Sequence, residues 1–176
     1  MSTTYKIDPA HSTAHVVARH MMITNVRGAF NNIEGTVTWD SANPQQSAVE
    51  ATIDATTIST GVTDRDNHLK SADFLDVAKF PVITFKSTSV SVEGEGEAKV
   101  VGELTIHGVT KPVVLKVEGP TSEGKDPWGN TRIGASATTK IKRSDFGLTW
   151  NAALETGGVL VGDDLKIEIE VSLIKS

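Results

Sequence analysis

The stretch VVGELTIHGVTKPVVLKVE, from Val100 to Glu118, decides the fold of this chain. It contains two runs in which apolar residues alternate with mostly polar ones, and a period of two is typical of a β-strand with two different faces. Gly108 and the pair Lys111-Pro112 separate the runs; glycine adopts turn conformations and proline lacks the N–H of a sheet ladder, so we expect the connection there. The stretch is predicted to form a hairpin. Because a lone hairpin is marginal in water, it requires further strands.

The remainder of the chain supplies those strands, since the same alternation is predicted at residues 14–20, 26–30, 33–39, 49–53, 83–89, 133–141 and 165–173. Tyr5-Lys6-Ile7 is interpreted as a short lead-in that stops at Asp8-Pro9. Residues 63–71 lack a strand pattern, and their acidic first turn predicts a short helix capped by Thr63 or Asp64. Short connections favour antiparallel pairing, and about eight such strands can close into a barrel without free edges. We therefore predict one all-β domain over residues 1–176: an eight-stranded antiparallel barrel with one short helix in the strand 4–5 connection.

Composition excludes several classes of protein. The net charge of −5 and the pI near 5.5 argue against a general nucleic-acid binder, which needs a surplus of Lys and Arg. The chain has no cysteine, which excludes disulfides and thiolate chemistry. Its first residues show no secretory signal, and no apolar run approaches the roughly 20 residues of a membrane span. A soluble, cytoplasmic protein is expected.

The predicted inward face is short of volume. Aromatic residues make up only 5% of the chain, and many inward positions are small: Ala14, Ala18, Gly28, Gly35, Ala51, Ala98, Gly102, Ala135 and Ala137. Natural interiors pack densely, so the barrel is either flattened or hollow. We favour a hollow barrel, whose apolar lining would suit a long apolar ligand. The alternative is a narrow barrel in which small residues let the sheets approach closely.

Polar residues near the predicted helix offer the main candidates for specific contacts. Arg65 and His68 would share a helix face, where they could bind the head group of a lipid at the barrel mouth. Alternatively, Arg65 and Asp66 tie the helix to the barrel. His20 continues the inward face of its strand, so it either contacts a ligand or is a hydrogen-bonded core histidine.

Catalysis and metal binding find little support. His11 and His15 would lie about 13 Å apart on a strand, which does not suit a metal site. No nucleotide-binding or hydrolase motif is present, and a proton-transfer pair of His68 with Asp64 or Asp66 is not demanded by the spacing. No catalytic residue, metal ligand or cofactor is predicted.

The segment Phe146–Gly162 is long and apolar for a loop, with Leu148, Trp150, Leu154 and Val159. Long loops are often lids, and we expect this one to cover one end of the barrel; the alternative is packing on the outer face or on a second subunit. An ion pair of Arg143 with Asp145 is expected where the loop leaves its strand.

Six motifs resemble the YceI family, in that family's order and across essentially the whole chain: IDPAHS (7–12), VRGAF (26–30), DRDNHLKSADFLD (64–76), FPVITFKST (80–88), GELTIHGVTKPV (102–113) and KRSDFG (142–147). The resemblance implies an extended, lipocalin-like eight-stranded barrel whose tunnel holds a polyisoprenoid or similar long-chain amphiphile. Two departures matter. Many relatives are exported, whereas no export signal is seen here, and Val16 stands where relatives often carry Phe, so a wider tunnel is expected.

Pattern and resemblance together predict a ligand-binding set on the inward face and at the mouth: Ala14, Val16, Ala18, His20, Val26, Phe30, Ile53, Phe85, Leu104, Ile106, Ala135, Ala137, Ile169, Arg65 and His68. The expected partner is a polyisoprenoid, an isoprenoid quinone or another long-chain lipid, held for transport or storage. Two alternatives stay open: a filled-barrel interaction protein, and an enzyme or biosynthetic accessory that uses the barrel as a chamber. A homodimer is compatible with all three.

Overall fold

A computed structural model describes residues 2–154 and 158–176. These residues form eleven β-strands and one α-helix. The strands are β1 Thr3–Ile7, β2 Thr13–His20, β3 Thr24–Phe30, β4 Ile33–Trp39, β5 Ala48–Asp54, β6 Val82–Gly94, β7 Glu97–Ile106, β8 Val109–Glu118, β9 Gly124–Lys125, β10 Thr131–Lys142 and β11 Val161–Lys175. The helix, α1, spans Thr63–Lys70 between β5 and β6. No helix within the described ranges is long and apolar enough to cross a membrane.

The strands close into an antiparallel barrel with eight strand positions. Pairing runs from β11 through β1, β4, β5, β6, β7, β8 and β10 back to β11. Two of the eight positions each contain two strands. The strands β1 and β2 share the position next to β11, because both pair with the same edge of that strand. The strands β4 and β3 share the following position, because β4 pairs with β1 and β3 pairs with β2. The predicted antiparallel eight-stranded barrel with one helix is therefore confirmed.

Two local predictions at strand level were wrong. The lead-in Tyr5-Lys6-Ile7 belongs to β1, and Tyr5 and Ile7 are buried because β1 pairs on both sides, with β4 and β11. The turn of the β7–β8 hairpin is shorter than expected. It consists of His107 and Gly108, both with positive φ (56° and 73°), which is the backbone that a two-residue hairpin turn requires.

Pro112 consequently lies inside β8, opposite Glu103. It is tolerated because β10 pairs with β8 further along, at Lys116–Glu118. Proline fits a strand where its missing N–H is not needed by a neighbour.

The N-cap of α1 lies one residue before Thr63, the first of its two predicted caps. Val62 is the N-cap and makes no side-chain capping hydrogen bond, so Thr63 and Asp64 both lie inside α1. Asp64 and Asp66 occupy the first turn, where negative charge is favoured by the helix dipole. The acidic start of the segment located the helix correctly, although it did not identify the cap.

Candidate functional site

The barrel encloses an apolar cavity of about 650 Å³. Its wall is built from inward side chains of all eight strand positions. At one end, which we call the mouth, α1 and the loop after β10 border the cavity. The barrel is thus hollow, as favoured from the sequence, and the filled alternative is wrong for this fold. All of the residues predicted to bind a ligand lie on the cavity wall: Ala14, Val16, Ala18, His20, Val26, Phe30, Ile53, Phe85, Leu104, Ile106, Ala135, Ala137, Ile169, Arg65 and His68. Their role in binding stays a prediction.

Small residues create the space where three long strands meet. Ile169 on β11 is paired with Ala14 on one side and with Ala137 on the other, so one large side chain stands between two small ones. Bulky residues at the two alanine positions would project into the same volume. The small inward side chains noted in the sequence therefore leave empty space beside β2 and β10.

Two of the small residues have a different explanation. A Cβ on Gly102 would lie 2.5 Å from the ring of Phe85, so the glycine accommodates a neighbouring side chain. A Cβ on Gly35, whose φ is 151°, would approach the backbone of Glu50 too closely. At these positions small size permits close packing, which was the alternative interpretation of the sequence.

The polar residues of α1 line the mouth and also tie the helix to the preceding segment. Arg65 donates from Nε to Thr60 Oγ1 (2.6 Å) and from Nη2 to the Thr60 carbonyl (2.8 Å). Asp66 Oδ1 accepts from the Thr60 amide (2.8 Å) and hydroxyl (2.6 Å), and these bonds lower the pKa of Asp66. Ser59, the residue preceding Thr60, forms an isolated β-bridge with Ala29 of β3. Arg65 and Asp66 therefore tie the helix to the barrel, which was one of the two roles considered from the sequence. Arg65 also lines the cavity.

His68 joins the helix to the loop that follows β10. Its Nε2 lies 2.9 Å from Asp73 Oδ2, so its acidic partner is neither Asp64 nor Asp66, as a proton-transfer pair would have required. Its ring makes edge contacts with Phe74 (5.0 Å between centroids) and Trp150 (4.7 Å). This three-ring cluster covers part of the mouth.

The loop itself is anchored by one buried guanidinium. Arg143, 4% exposed, donates to four backbone carbonyls: Leu148 (2.6 Å), Trp150 (2.9 Å), Gly162 (2.9 Å) and Val161 (3.1 Å). Burial lowers the pKa of Arg143, opposed by the charge of Asp163. The expected Arg143–Asp145 ion pair was wrong, because the guanidinium is used to hold the two ends of the loop together.

The predicted lid is supported in part. Leu148 and Trp150 line the cavity, whereas Val159 is exposed on the outside. Residues 155–157 of the predicted lid lie outside the described residues.

Sequence reasoning missed several wall residues near the mouth. Phe74 and Leu75, in the turn after α1, line the cavity together with Leu69 and Ile58. The apolar character of these residues was visible in the sequence, but Ile58, Phe74 and Leu75 lie in irregular segments, which have no periodicity from which a direction can be predicted. Among the described residues, no group of three His, Asp or Glu side chains could hold a metal ion.

Comparison with known proteins identifies a family to which this chain is similar. The model of the YceI-like domain matches residues 5–173. The protein YceI of Escherichia coli O6:H1 strain CFT073 is 41% identical over 168 residues, which cover 94% of this chain and 85% of the relative. A UPF0312 protein of Pseudomonas putida strain W619 is 43% identical over 150 residues, covering 84% of this chain and 78% of the relative.

Solved structures agree with these sequence relatives. Burkholderia cenocepacia BcnA has a TM-score of 0.82 at 25% identity, covering 94% of this chain and 98% of that one. A polyisoprenoid binding domain from Saccharophagus degradans has a TM-score of 0.69 at 15% identity, with 99% of both chains covered, which shows a shared fold. With the family model matching nearly the whole chain and curated relatives above 40% identity, this chain belongs to the YceI family.

Proposed function

We propose that this protein binds one long-chain apolar or amphiphilic lipid, of the polyisoprenoid or isoprenoid quinone class, inside its barrel and transports or stores it. The observation that carries the proposal is the cavity of about 650 Å³ with an almost wholly apolar wall. An apolar cavity of this size disfavours water-soluble metabolites, because their polar groups would lose hydrogen bonds on entry.

The size of the cavity favours a chain over a compact ligand. A water molecule takes up roughly 30 Å³ of liquid and a methylene group is of similar size, so such a volume holds on the order of 20 carbons, or about four isoprene units. Inward residues of β11 from Val161 to Leu173 line the cavity, so the space follows most of this 15-residue strand. Affinity is expected to come from the tail, at about 0.8 kcal/mol for each buried CH₂.

A polar head group would lie at the mouth, near His20, Arg65 and His68. Arg65 is already engaged with Thr60 and His68 with Asp73. These side chains therefore have limited capacity for strong new contacts, and we expect the mouth to tolerate different head groups.

Binding is favoured over catalysis by the same contacts. The polar side chains that border the cavity, such as Arg65 and Arg143, hydrogen-bond to the protein itself. The Saccharophagus degradans structure, described as a polyisoprenoid binding domain, has the same fold and supports the ligand class.

The test is native mass spectrometry of the purified protein, followed by solvent extraction and lipid analysis. We expect a discrete additional mass that extracts as a prenyl chain, a quinone or a related long-chain lipid. If the protein has only its own mass and also fails to bind added fluorescent prenyl lipids, the proposal is wrong.

A further inference from the structure

The β2–β3 hairpin presents an unusual apolar tip to solvent. Met21, Met22 and Ile23 are consecutive and 42%, 57% and 68% exposed, and Val159 of the neighbouring loop is 40% exposed. We call these four residues the apolar rim. Exposed apolar residues elsewhere in the described chain, such as Val92 and Trp128, occur singly. A contiguous apolar surface is typical of an interaction site.

The apolar rim borders the cavity mouth. The amide of Met21 donates to the Leu160 carbonyl (2.7 Å), and Met22 Sδ lies against Gly158, where a Cβ would otherwise stand. The residues immediately behind the rim, His20 and Leu160, line the cavity. A lipid tail that leaves the cavity here would pass the rim at once.

The stability of the turn does not explain why methionines occupy it. Met21 and Met22 both have left-handed backbone conformations, with φ of 52° and 63°. Asparagine or glycine would adopt these angles at lower cost, and such local conflicts concentrate at functional sites. The two methionines are therefore better explained by what their side chains contact than by the turn they form.

Positive charge surrounds the base of the hairpin. Lys140, Lys166, Val17 and Arg27 form one row across β10, β11, β2 and β3. This row is three residues, roughly 10 Å, from the end of β2. Within these outward rows of the described strands, the exposed cations are Arg19, Arg27, Lys140, Lys142 and Lys166.

Two carboxylates share these cations. Glu168 contacts both Arg27 and Lys166, at 3.1 and 3.3 Å, and Asp164 contacts both Lys140 and Lys142, at 3.9 and 3.4 Å. A third carboxylate, Asp163, lies near Lys142. With five exposed cations against three carboxylates, the surface behind the rim keeps a positive surplus even though the whole chain has a net charge of −5.

We propose that the apolar rim inserts into an anionic lipid bilayer and that the ligand passes between the bilayer and the cavity through this mouth. An apolar tip inserted to about 5–10 Å would bring the cationic row to the level of the lipid head groups. A lipid tail that moves directly between the bilayer and the cavity is not exposed to water. This inference rests on the proposed function for the nature of the cargo.

Vesicle flotation tests the proposal with one variant that combines Met21→Asn, Met22→Asn and Ile23→Ser. The matched control is Val92→Ser, which removes an apolar side chain that is 52% exposed at the other end of the barrel. Vesicles contain phosphatidylcholine with or without phosphatidylglycerol. We expect wild type and Val92→Ser to float with the anionic vesicles. The rim variant should bind them roughly tenfold less, since binding scales with buried apolar area.

Each contrary outcome has a distinct meaning. If the rim variant floats like wild type, or wild type does not bind anionic vesicles, membrane insertion by the rim is refuted. If sedimentation shows that the variant loses a dimer present in wild type, a second copy covers the rim and membrane insertion is likewise refuted. A fluorescent prenyl lipid added from detergent separates this test from the proposed function, because the rim variant should bind that probe like wild type.

Discussion

Filling the cavity should abolish lipid binding without unfolding the barrel, and Ala137→Phe is the change that tests this. Ala137 lies between Val117 and Ile169 in the sheet and faces the cavity. The added ring takes up about the space of one five-carbon isoprene unit. At about 0.8 kcal/mol for each carbon that is no longer buried, the loss is about 4 kcal/mol, or roughly a thousandfold in Kd.

The assay is titration of the delipidated protein with a fluorescent prenyl lipid, and the control is Thr138→Phe. Thr138 is the next residue of the same strand and is exposed, so the same side chain is added outside the barrel. We expect Thr138→Phe to bind like wild type. The thermal midpoint of Ala137→Phe should be unchanged or raised, since the ring fills apolar space.

Two results would refute this reasoning. Wild-type affinity in Ala137→Phe would mean that the tail is not held in this part of the barrel. Equal loss of binding in Thr138→Phe would indicate a general disturbance of the sheet.

Three further predictions concern polar residues. Truncation of Arg65 to Ala should weaken prenyl binding less than about tenfold, because affinity comes from the tail; a loss as large as that of a cavity-filling variant would contradict this. Arg143→Met should destabilise the protein by about 2–4 kcal/mol in urea unfolding, since four loop carbonyls lose their donor, and an unchanged midpoint would show that the loop is held otherwise. Arg132 bonds Asp8 and Asp126 at 2.7 Å each; these bonds lower the pKa of both carboxyls, that of Asp8 to about 2. Depressed carboxyl pKa values stabilise the fold above the unfolded pKa near 4, and this stability is lost as the pH falls towards about 2. Arg132→Gln should therefore lower the urea midpoint at about pH 7 and flatten its acid dependence, and a parallel shift at every pH would contradict the assignment.

Much of the site was accessible from local pattern. Alternation along each strand determines which side chains face inward, so the alanines of β2 and β10 could be assigned to the wall before any fold was known. The same logic failed where no periodicity exists, as for Phe74 in its irregular segment. The same reasoning wrongly counted Gly102 among the residues that leave the cavity empty. The sequence pattern shows that this residue is small, but it does not show that the ring of Phe85 occupies the space beside it.

Fold class, inward face and the position of the helix followed from the amino-acid order alone, because strand alternation and helix propensity are local properties. Tertiary structure decided the mouth. His68, Phe74 and Trp150 meet there, and Arg143 reaches carbonyls up to 19 residues away. Such contacts depend on how the closed barrel brings distant segments to one end, and no spacing within a single segment encodes them.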